Sequence, residues 1–394
     1  MSPTRAPTER PRHVVDATMF WSATGGGVRR YLLAKQAWLR RQPGWSHTLA
    51  VPLAGAPEAG TANLPALPLP FSGGYRLPLR RRAVADRLVA LRPDLVEAGD
   101  PYVVAWAALD AARRCGIPAL AYCHSNLERM ARLAVGRRAA GAAGRAARAY
   151  ARRLYRRFDR VLAPSESMRR HLLDWGVASA VCQPLGVDTQ RFHPERSSAA
   201  WREAQGCGAE TRLLVYAGRF AAEKHLDVLA AAVARLGPPY ALLAIGAGPT
   251  PPRGPGVRVM PFLADAGALA TALASADAFV HAGDQETFGL SLLEAFACGT
   301  PAVVRRAEGL AELVDDAVGV GVESGRADAF AAAIEALFAA DRAALGRAAR
   351  ERARAYDWER VLPGLLAQYR SLLRGTDERA LDAGMAGAPA AHAP

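Results

Sequence analysis

Lysine is almost missing from this chain. Of 50 basic residues in 394 positions, only Lys35 and Lys224 are lysine. Alanine, glycine and arginine are abundant, as expected of a coding bias that turns lysine into arginine wherever either serves. A lysine that remains therefore points to a place that needs a compact ammonium. Cysteine is also sparse. Cys115, Cys123, Cys182, Cys207 and Cys298 lie far apart with no C-x-x-C pair, which argues against a disulfide framework or a cysteine zinc site and predicts small buried thiols in a reducing compartment. No apolar run approaches the ~18 residues needed to span a bilayer, since the stretch 103–109 is stopped by Asp110. The first residues carry no apolar core of a signal peptide and read as a polar extension, so a cytoplasmic protein is expected. No G-x-x-x-x-G-K-[ST] loop occurs, which removes the common P-loop enzymes. Gly246-Ala247-Gly248 begins like a dinucleotide fingerprint, but Pro251 takes the place of its third glycine, which argues against a nicotinamide oxidoreductase.

Half of the residues (51%) are hydrophobic, enough for one or two sizeable cores. Short Val/Leu/Ile-rich runs at 13–17, 95–97, 119–122 and 160–163 alternate with helical patterns, the first helix passing through Tyr31, Leu32, Leu33, Ala37 and Leu39. After Gly186 the pattern restarts. Strands are expected at 213–217, 241–245, 278–281 and 302–304, with helices at 226–236, 266–275 and 288–298. Continuous apolar strands alternating with helices predict parallel sheets covered on both faces. The segment 180–194 reads as the connection between the halves, 328–354 as one long helical stretch, and a last helix passes through Leu365, Leu366 and Tyr369. The expected division is a disordered extension (1–12), a first Rossmann-like domain (13–185), a second (186–355), a terminal helix crossing back to the first (356–374) and a disordered tail (375–394).

The net charge of +13 is unevenly spread. Between Arg129 and Arg170, thirteen arginines face only Asp159 and Glu166, a local charge of +11. On a helical wheel Ala147, Tyr150, Leu154 and Phe158 share one face, and Arg145, Arg148, Arg152 and Arg156 fall opposite. Such a face is either simply solvated or attracted to an anionic membrane surface. Nucleic acid, the third option for so basic a segment, is not expected, because the segment has only two tyrosines and one phenylalanine.

Three sequence features carry chemistry. Gly25, Gly26 and Gly27 open the first helix, where backbone amides without Cβ atoms can approach an anion or a sugar. Gly218, Arg219 and Lys224 follow the strand 213–217, outside the carboxyl end of an open sheet where ligands bind. The third is the run from His281 to Pro301. In it Glu286 ends a loop, Phe288, Gly289 and Leu290 open a helix with free amides, and Glu294 lies a turn further in.

Together these motifs resemble glycosyltransferase family 4, retaining nucleotide-sugar transferases of GT-B architecture. The resemblance rests on Glu286 and Glu294 with seven residues between, on Tyr216-Ala-Gly-Arg219 with Glu223-Lys224, and on Ile245-Gly-Ala-Gly248-Pro249. It also rests on Gly186-Val-Asp188 with Arg191, Phe192 and Pro194, on Pro164-Ser165-Glu166, on the glycine loop followed by Val28 and Arg29, and on His124. One departure stands out: Glu308-Gly309 replaces the usual glycine pair, which places an extra acid beside the expected phosphate position.

The resemblance implies an α/β fold with two doubly wound Rossmann-like domains facing across a cleft. It implies that Arg219 and Lys224 hold the donor diphosphate and stabilise charge on the leaving nucleotide, and that Glu294 takes ribose hydroxyls. Glu286, with the amides around Phe288 and Gly289, would hold the donor sugar, and His124 would face it from the first domain. No cofactor is expected beyond the donor itself, GDP-mannose or a UDP-hexose, and no metal, as no D-x-D motif is present (Asp315-Asp316 lacks the spacer). The acceptor would be a hydroxyl of a glycan or lipid-linked molecule, with the enzyme cytoplasmic and peripheral to the inner membrane face. The competing readings are a non-transferring GT-B enzyme, such as a nucleotide-sugar epimerase or a phosphorylase, and a basic nucleic-acid-binding protein.

Overall fold

The computed structural model describes residues 10–22, 26–70 and 74–386. The first half contains strands β1 (Arg12–Ala17), β2 (Trp45–Val51), β3 (Thr61–Asn63), β4 (Leu67–Pro68), β5 (Arg76–Leu77), β6 (Leu95–Ala98), β7 (Ala119–Tyr122), β8 (Arg160–Ala163) and β9 (Ala180–Cys182). Its helices are α1 (Gly27–Leu39), α2 (Arg81–Ala90), α3 (Val103–Cys115), α4 (Leu127–Ala134), α5 (Arg137–Tyr155) and α6 (Glu166–Asp174). Seven strands form one parallel sheet in the order β3-β2-β1-β6-β7-β8-β9, and β4 and β5 make a separate antiparallel pair.

The second half holds α7 (Ala199–Ala204), β10 (Arg212–Ala217), α8 (Leu226–Leu236), β11 (Tyr240–Ile245), β12 (Val257–Met260), α9 (Ala266–Ala274), β13 (Ala278–His281), α10 (Leu290–Ala297), β14 (Ala302–Arg305), α11 (Glu308–Leu313) and β15 (Gly319–Val322). The chain ends with α12 (Ala327–Ala339), α13 (Arg342–Ala355) and α14 (Trp358–Ala386). The second sheet is parallel throughout, in the order β12-β11-β10-β13-β14-β15. Central strands such as β6, β7, β11 and β13 are buried along their whole length, as sheets covered on both faces require. In each half the strand order reverses beside the first strand, between β1 and β6 and between β10 and β13. Loops leaving on opposite sides open a crevice there.

The structure differs from the sequence reading at several boundaries. Residues 180–182 are an edge strand of the first sheet rather than connecting chain, so the crossover begins later. The stretch 328–354 is two helices, because Asp341 caps the second by accepting from the Ala344 amide at 2.9 Å. The N-terminal extension is shorter than expected, since Arg12 opens β1 and Arg10 pairs with Asp94 at 2.7 Å. The tail from Gly375 is helical as far as Ala386. The rest of the extension and tail, residues 1–9 and 387–394, lies outside the described residues.

The chain crosses between the halves twice, side by side. Val187 bridges Asp357 in parallel, the Val187 amide donates to the Tyr356 carbonyl at 2.9 Å, and the Thr189 hydroxyl donates to the Asp357 carboxylate. Beyond this crossing α14 packs on the first half. Its Val361, Leu362, Leu365, Leu366, Tyr369 and Leu373 are buried in a core shared with Tyr31, Leu32, Trp38 and Leu39 of α1. Lys35 lies at the centre of that contact, with no solvent exposure. Its ammonium donates to Asp16 (2.7 Å), Glu97 (2.8 Å) and the Tyr369 hydroxyl (2.9 Å). The rare lysine does occupy a fully buried place between two carboxylates, which suits a compact cation.

Candidate active site

The crevice between β10 and β13 gathers most of the charged residues singled out in the second half. After β10 a single 3-10 turn (Ala222–Lys224) turns Lys224 inward, where it is buried and donates to Glu286. The last residue of β13, His281, points at the same oxygen. Its Nδ1 accepts the Gly283 amide at 3.1 Å, which puts the ring proton on Nε2, 3.1 Å from Glu286 Oε1. Burial pushes the Glu286 carboxyl up, but Lys224 and His281 outweigh it and hold the group well below the usual carboxylate range. Glu286 is thus a fixed anion at neutral pH.

Arg219 stands apart. It is 74% exposed, and its guanidinium meets Glu223 at 3.2 Å rather than the buried pair. Gly218 spends its amide on the Ile245 carbonyl at 3.0 Å, so that amide is not available to a ligand. Gly246 and Gly248 are explained by packing: a Cβ would lie 1.9 Å from the Gly218 carbonyl oxygen at the first and 2.2 Å from that of Phe220 at the second. The G-x-G pattern here lets two loops touch.

α10 begins at Leu290, after buried Phe288 and after Gly289 in left-handed backbone (φ 105°). The first-turn amides of such a helix lack intrahelical acceptors and make its start electropositive. One turn in, Glu294 is buried. One of its oxygens is held by Arg30 of α1, and the other, Oε2, has no partner. The two glutamates are therefore served by separate cations.

The facing side is built by the first half. Of the three loop glycines, Gly25 lies outside the described residues. Gly26 has open space beside it, and Gly27 is pressed so closely on Leu290 that a Cβ would sit 2.5 Å from Leu290 Cδ1. The glycine loop and the start of α10 thus meet across the cleft. His124, just beyond β7, stacks on Tyr122 with ring centroids 4.4 Å apart, and its backbone carbonyl accepts from the Thr287 hydroxyl at 3.1 Å. This brings the His124 backbone to Thr287, the residue after Glu286. Burial, with Lys35 nearby, pushes its imidazole down to about 3, and its Nε2 is buried without a partner. His124 is a neutral ring packed between Tyr31 and Tyr122 of the first half.

Glu308, the departure noted above, turns toward the first half. Its carboxylate meets Arg129 (2.7 Å), the Ser167 hydroxyl (2.6 Å) and His171 (2.9 Å), all from the first half. Sequence reasoning assigned no role to Arg30, His281, Arg129 or Thr287. Arg30 and His281 were detectable as neighbours of named motifs, whereas Arg129 and Thr287 matter only through contacts between the halves.

On the basic helices, Arg145, Arg148, Arg152 and Arg156 are all exposed, and Leu154 and Phe158 are buried. Tyr150 departs from the expected apolar face. It is exposed, with its hydroxyl donating to the Pro101 carbonyl at 2.7 Å and accepting from Trp106 at 3.0 Å. Phe158 lies beyond the end of α5. Among the described residues no helix is long and apolar enough to cross a membrane.

Comparison with known proteins agrees with this geometry. Residues 25–191 match the Glycosyltransferase Family 4 model, and residues 197–354 match the Glycosyl transferases group 1 model. The GDP-mannose-dependent alpha-(1-6)-phosphatidylinositol dimannoside mannosyltransferase of Mycobacterium tuberculosis is 34% identical over 318 residues, covering 77% of this chain and 81% of that protein. A GDP-mannose-dependent alpha-mannosyltransferase of Mycolicibacterium smegmatis is 33% identical, covering 71% and 74%. Sucrose-phosphate synthase from Thermosynechococcus elongatus superposes with a TM-score of 0.74 at 21% identity, covering 92% of this chain and 100% of that one. The Anabaena protein HepE, solved with UDP and glucose, gives 0.71 at 17%, covering 91% and 99%. Two doubly wound domains, matching models on both halves and relatives aligned over most of their length lead to one conclusion: the chain belongs to glycosyltransferase family 4 and is a glycosyltransferase of the GT-B architecture.

Proposed function

We propose that this enzyme moves mannose from GDP-mannose to a hydroxyl of a lipid-linked or glycan acceptor, with retention of the anomeric configuration. The observation that carries the donor site is the Lys224–Glu286–His281 cluster at the strand-order reversal, just ahead of the start of α10, which meets α1 across the cleft. Lys224, the exposed Arg219 and the start of α10 supply positive charge where a diphosphate would sit, so the leaving GDP is stabilised by fixed charges and dipoles. Glu294 takes the ribose hydroxyls. Glu286, kept ionised, accepts from the sugar hydroxyls, and neutral His124, whose Nε2 has no partner, hydrogen-bonds the sugar from the other side. The C1–phosphate bond breaks as the acceptor oxygen bonds C1 on the same face, and the acceptor proton leaves with the phosphate. The names of the relatives at 33–34% identity support mannose and GDP over other donors.

The acceptor side of the reading is a peripheral enzyme at an anionic membrane. It is supported by Met130 and Leu133 of α4 and by Val135, which are exposed beside the arginines of α5. Arg129, on the same helix α4, reaches across the cleft to the Asp284 carbonyl at 2.6 Å, so an acceptor seated in lipid would arrive at the cleft. The test incubates the protein with radiolabelled GDP-mannose, UDP-glucose or ADP-glucose, with EDTA present, and phosphatidylinositol-containing vesicles as acceptor. Label moving from GDP-mannose to lipid supports the reading; turnover of a UDP- or ADP-sugar alone rejects GDP-mannose as donor.

A further inference from the structure

Arg30 is the residue in the cleft whose position the donor reading leaves unexplained. It sits in the first turn of α1 and crosses the cleft to pair with Glu294, with about a third of its side chain still exposed. Its neighbour Arg29 is committed elsewhere, with its guanidinium 5.0 Å above the Trp21 ring. Arg30 therefore places a counter-charge against the buried Glu294 carboxylate, and a buried carboxylate without one is costly.

The pairing is incomplete. Glu294 Oε2 is buried with no donor, and a buried carboxylate oxygen is ordinarily hydrogen-bonded. A sugar hydroxyl can supply the missing donor. The surroundings of Arg30 ask for the opposite kind of group. Two helix starts meet here, α1 at Gly27 and α10 at Leu290, and both present electropositive amides. Buried Lys224 stands just before α10. A ligand with hydroxyls at one end and an anionic group at the other meets both demands.

We propose that Arg30 is a donor-site residue that acts as a displaceable counter-ion. Without donor it neutralises Glu294 from the facing domain. When ribose hydroxyls take over Glu294, the freed guanidinium turns to the diphosphate between the two helix starts and draws the domains together over it. A nucleoside without phosphates must break the Arg30–Glu294 pair and regains nothing, whereas a nucleoside diphosphate breaks it and regains a charged contact. Arg30 thus sets selectivity for the phosphorylated ligand. This inference rests on the donor reading above.

The experiment measures GDP and guanosine affinities by displacement of a fluorescent GDP analogue from wild type, Arg30→Gln and Arg30→Lys. Hydrogen bonds to charged groups are worth about 10- to 100-fold in affinity, so Arg30→Gln should weaken GDP by about that factor. Guanosine should bind as well as before or better, because its competitor for Glu294 is gone. Arg30→Lys should fall between, since it keeps the charge but loses the planar fork. Equal weakening of both ligands in Arg30→Gln would mean a merely structural contact and overturn the inference. Failure of the wild type to bind GDP would overturn the donor reading together with it.

Discussion

Glu308 and His171 meet across the cleft at 2.9 Å, carboxylate to imidazole. The contact stands where the family pattern expects a glycine, and the backbone shows why: Glu308 has φ 49°, in the left-handed region. The chain keeps a glycine-like conformation there and spends the side chain on Ser167, His171 and Arg129 of the facing domain. Burial raises the Glu308 carboxyl, but His171, Ser167 and Arg129 bring it down to about 2, while its hydrogen bond raises the His171 imidazole.

The backbone predicts an order among substitutions. Glu308→Ala loses the contacts and keeps the left-handed residue, whereas Glu308→Gly loses the same contacts and relieves the conformation. Left-handed backbone costs a non-glycine residue roughly 1–2 kcal/mol, so the glycine variant should be the more stable by about that amount in urea unfolding. Equal stability would show that the backbone is relaxed.

The same pair predicts a pH window for domain docking. The Glu308 contribution is complete above its ordinary carboxylate pKa, about 4.5, and is lost as pH falls toward about 2. The His171 contribution is complete below its ordinary value, 6.5, and is lost as pH rises through its raised value. Small-angle scattering should give the most compact particle between about pH 5 and 6.5 and a larger radius of gyration in alkali. Glu308→Gln should lose the alkaline step; its persistence would assign that step to another group.

Lys35 and Tyr369 predict how α14 is held. Lys35→Met leaves Asp16 and Glu97 buried without their cation, which should cost about 3–5 kcal/mol. Tyr369→Phe removes donation to Glu97 Oε2, 2.6 Å away, and should cost about 1.5–3 kcal/mol. Chemical denaturation measures both. A Lys35→Met protein as stable as wild type would contradict the network.

How much of this was readable beforehand follows from how far apart the partners lie in the chain. The strands β7, β8 and β13 and the helix α8 match their sequence patterns because apolar period and length are local signals. Strand β2 and the edge strands β3, β9, β12 and β15 went unnoticed, and for the edges the reason is that short half-exposed strands carry little alternation. Lys224 and Glu286 were identifiable from motif and position. That Lys224 pairs with Glu286 while Arg219 stays in solvent was not, because the 3-10 turn that divides them is a matter of backbone geometry. Lys35 was flagged by rarity alone; its four oxygen neighbours come from β1, α1, β6 and α14.

The proposed membrane attachment would use Arg145, Arg148, Arg152 and Arg156 with the exposed Met130 and Leu133. Wild type should sediment with anionic vesicles at low salt and be released at high salt, because exposed charges are screened over ~10 Å at about 0.1 M. Changing the four arginines to glutamine should abolish the salt-sensitive part. Equal, salt-insensitive partitioning of both proteins would leave the patch a solvated face.

His124 should act as a neutral group. With its imidazole pushed down to about 3, the kcat profile should show no step from His124 between about pH 5 and 8, and His124→Ala should lower kcat by about tenfold or more, the loss of one good hydrogen bond. A wild-type step near neutral pH that His124→Asn removes would contradict this.

The central claim is that the Lys224–Glu286–His281 cluster binds and polarises a nucleotide sugar. The most direct measurement is GDP release from saturating GDP-mannose by wild type and Lys224→Ala, with circular dichroism as a check on folding. The account predicts turnover by the wild type and a loss of about 10²–10³-fold in the variant, as removal of one charge-stabilising donor gives, with the fold intact. A folded Lys224→Ala protein that turns over GDP-mannose at the wild-type rate would contradict it.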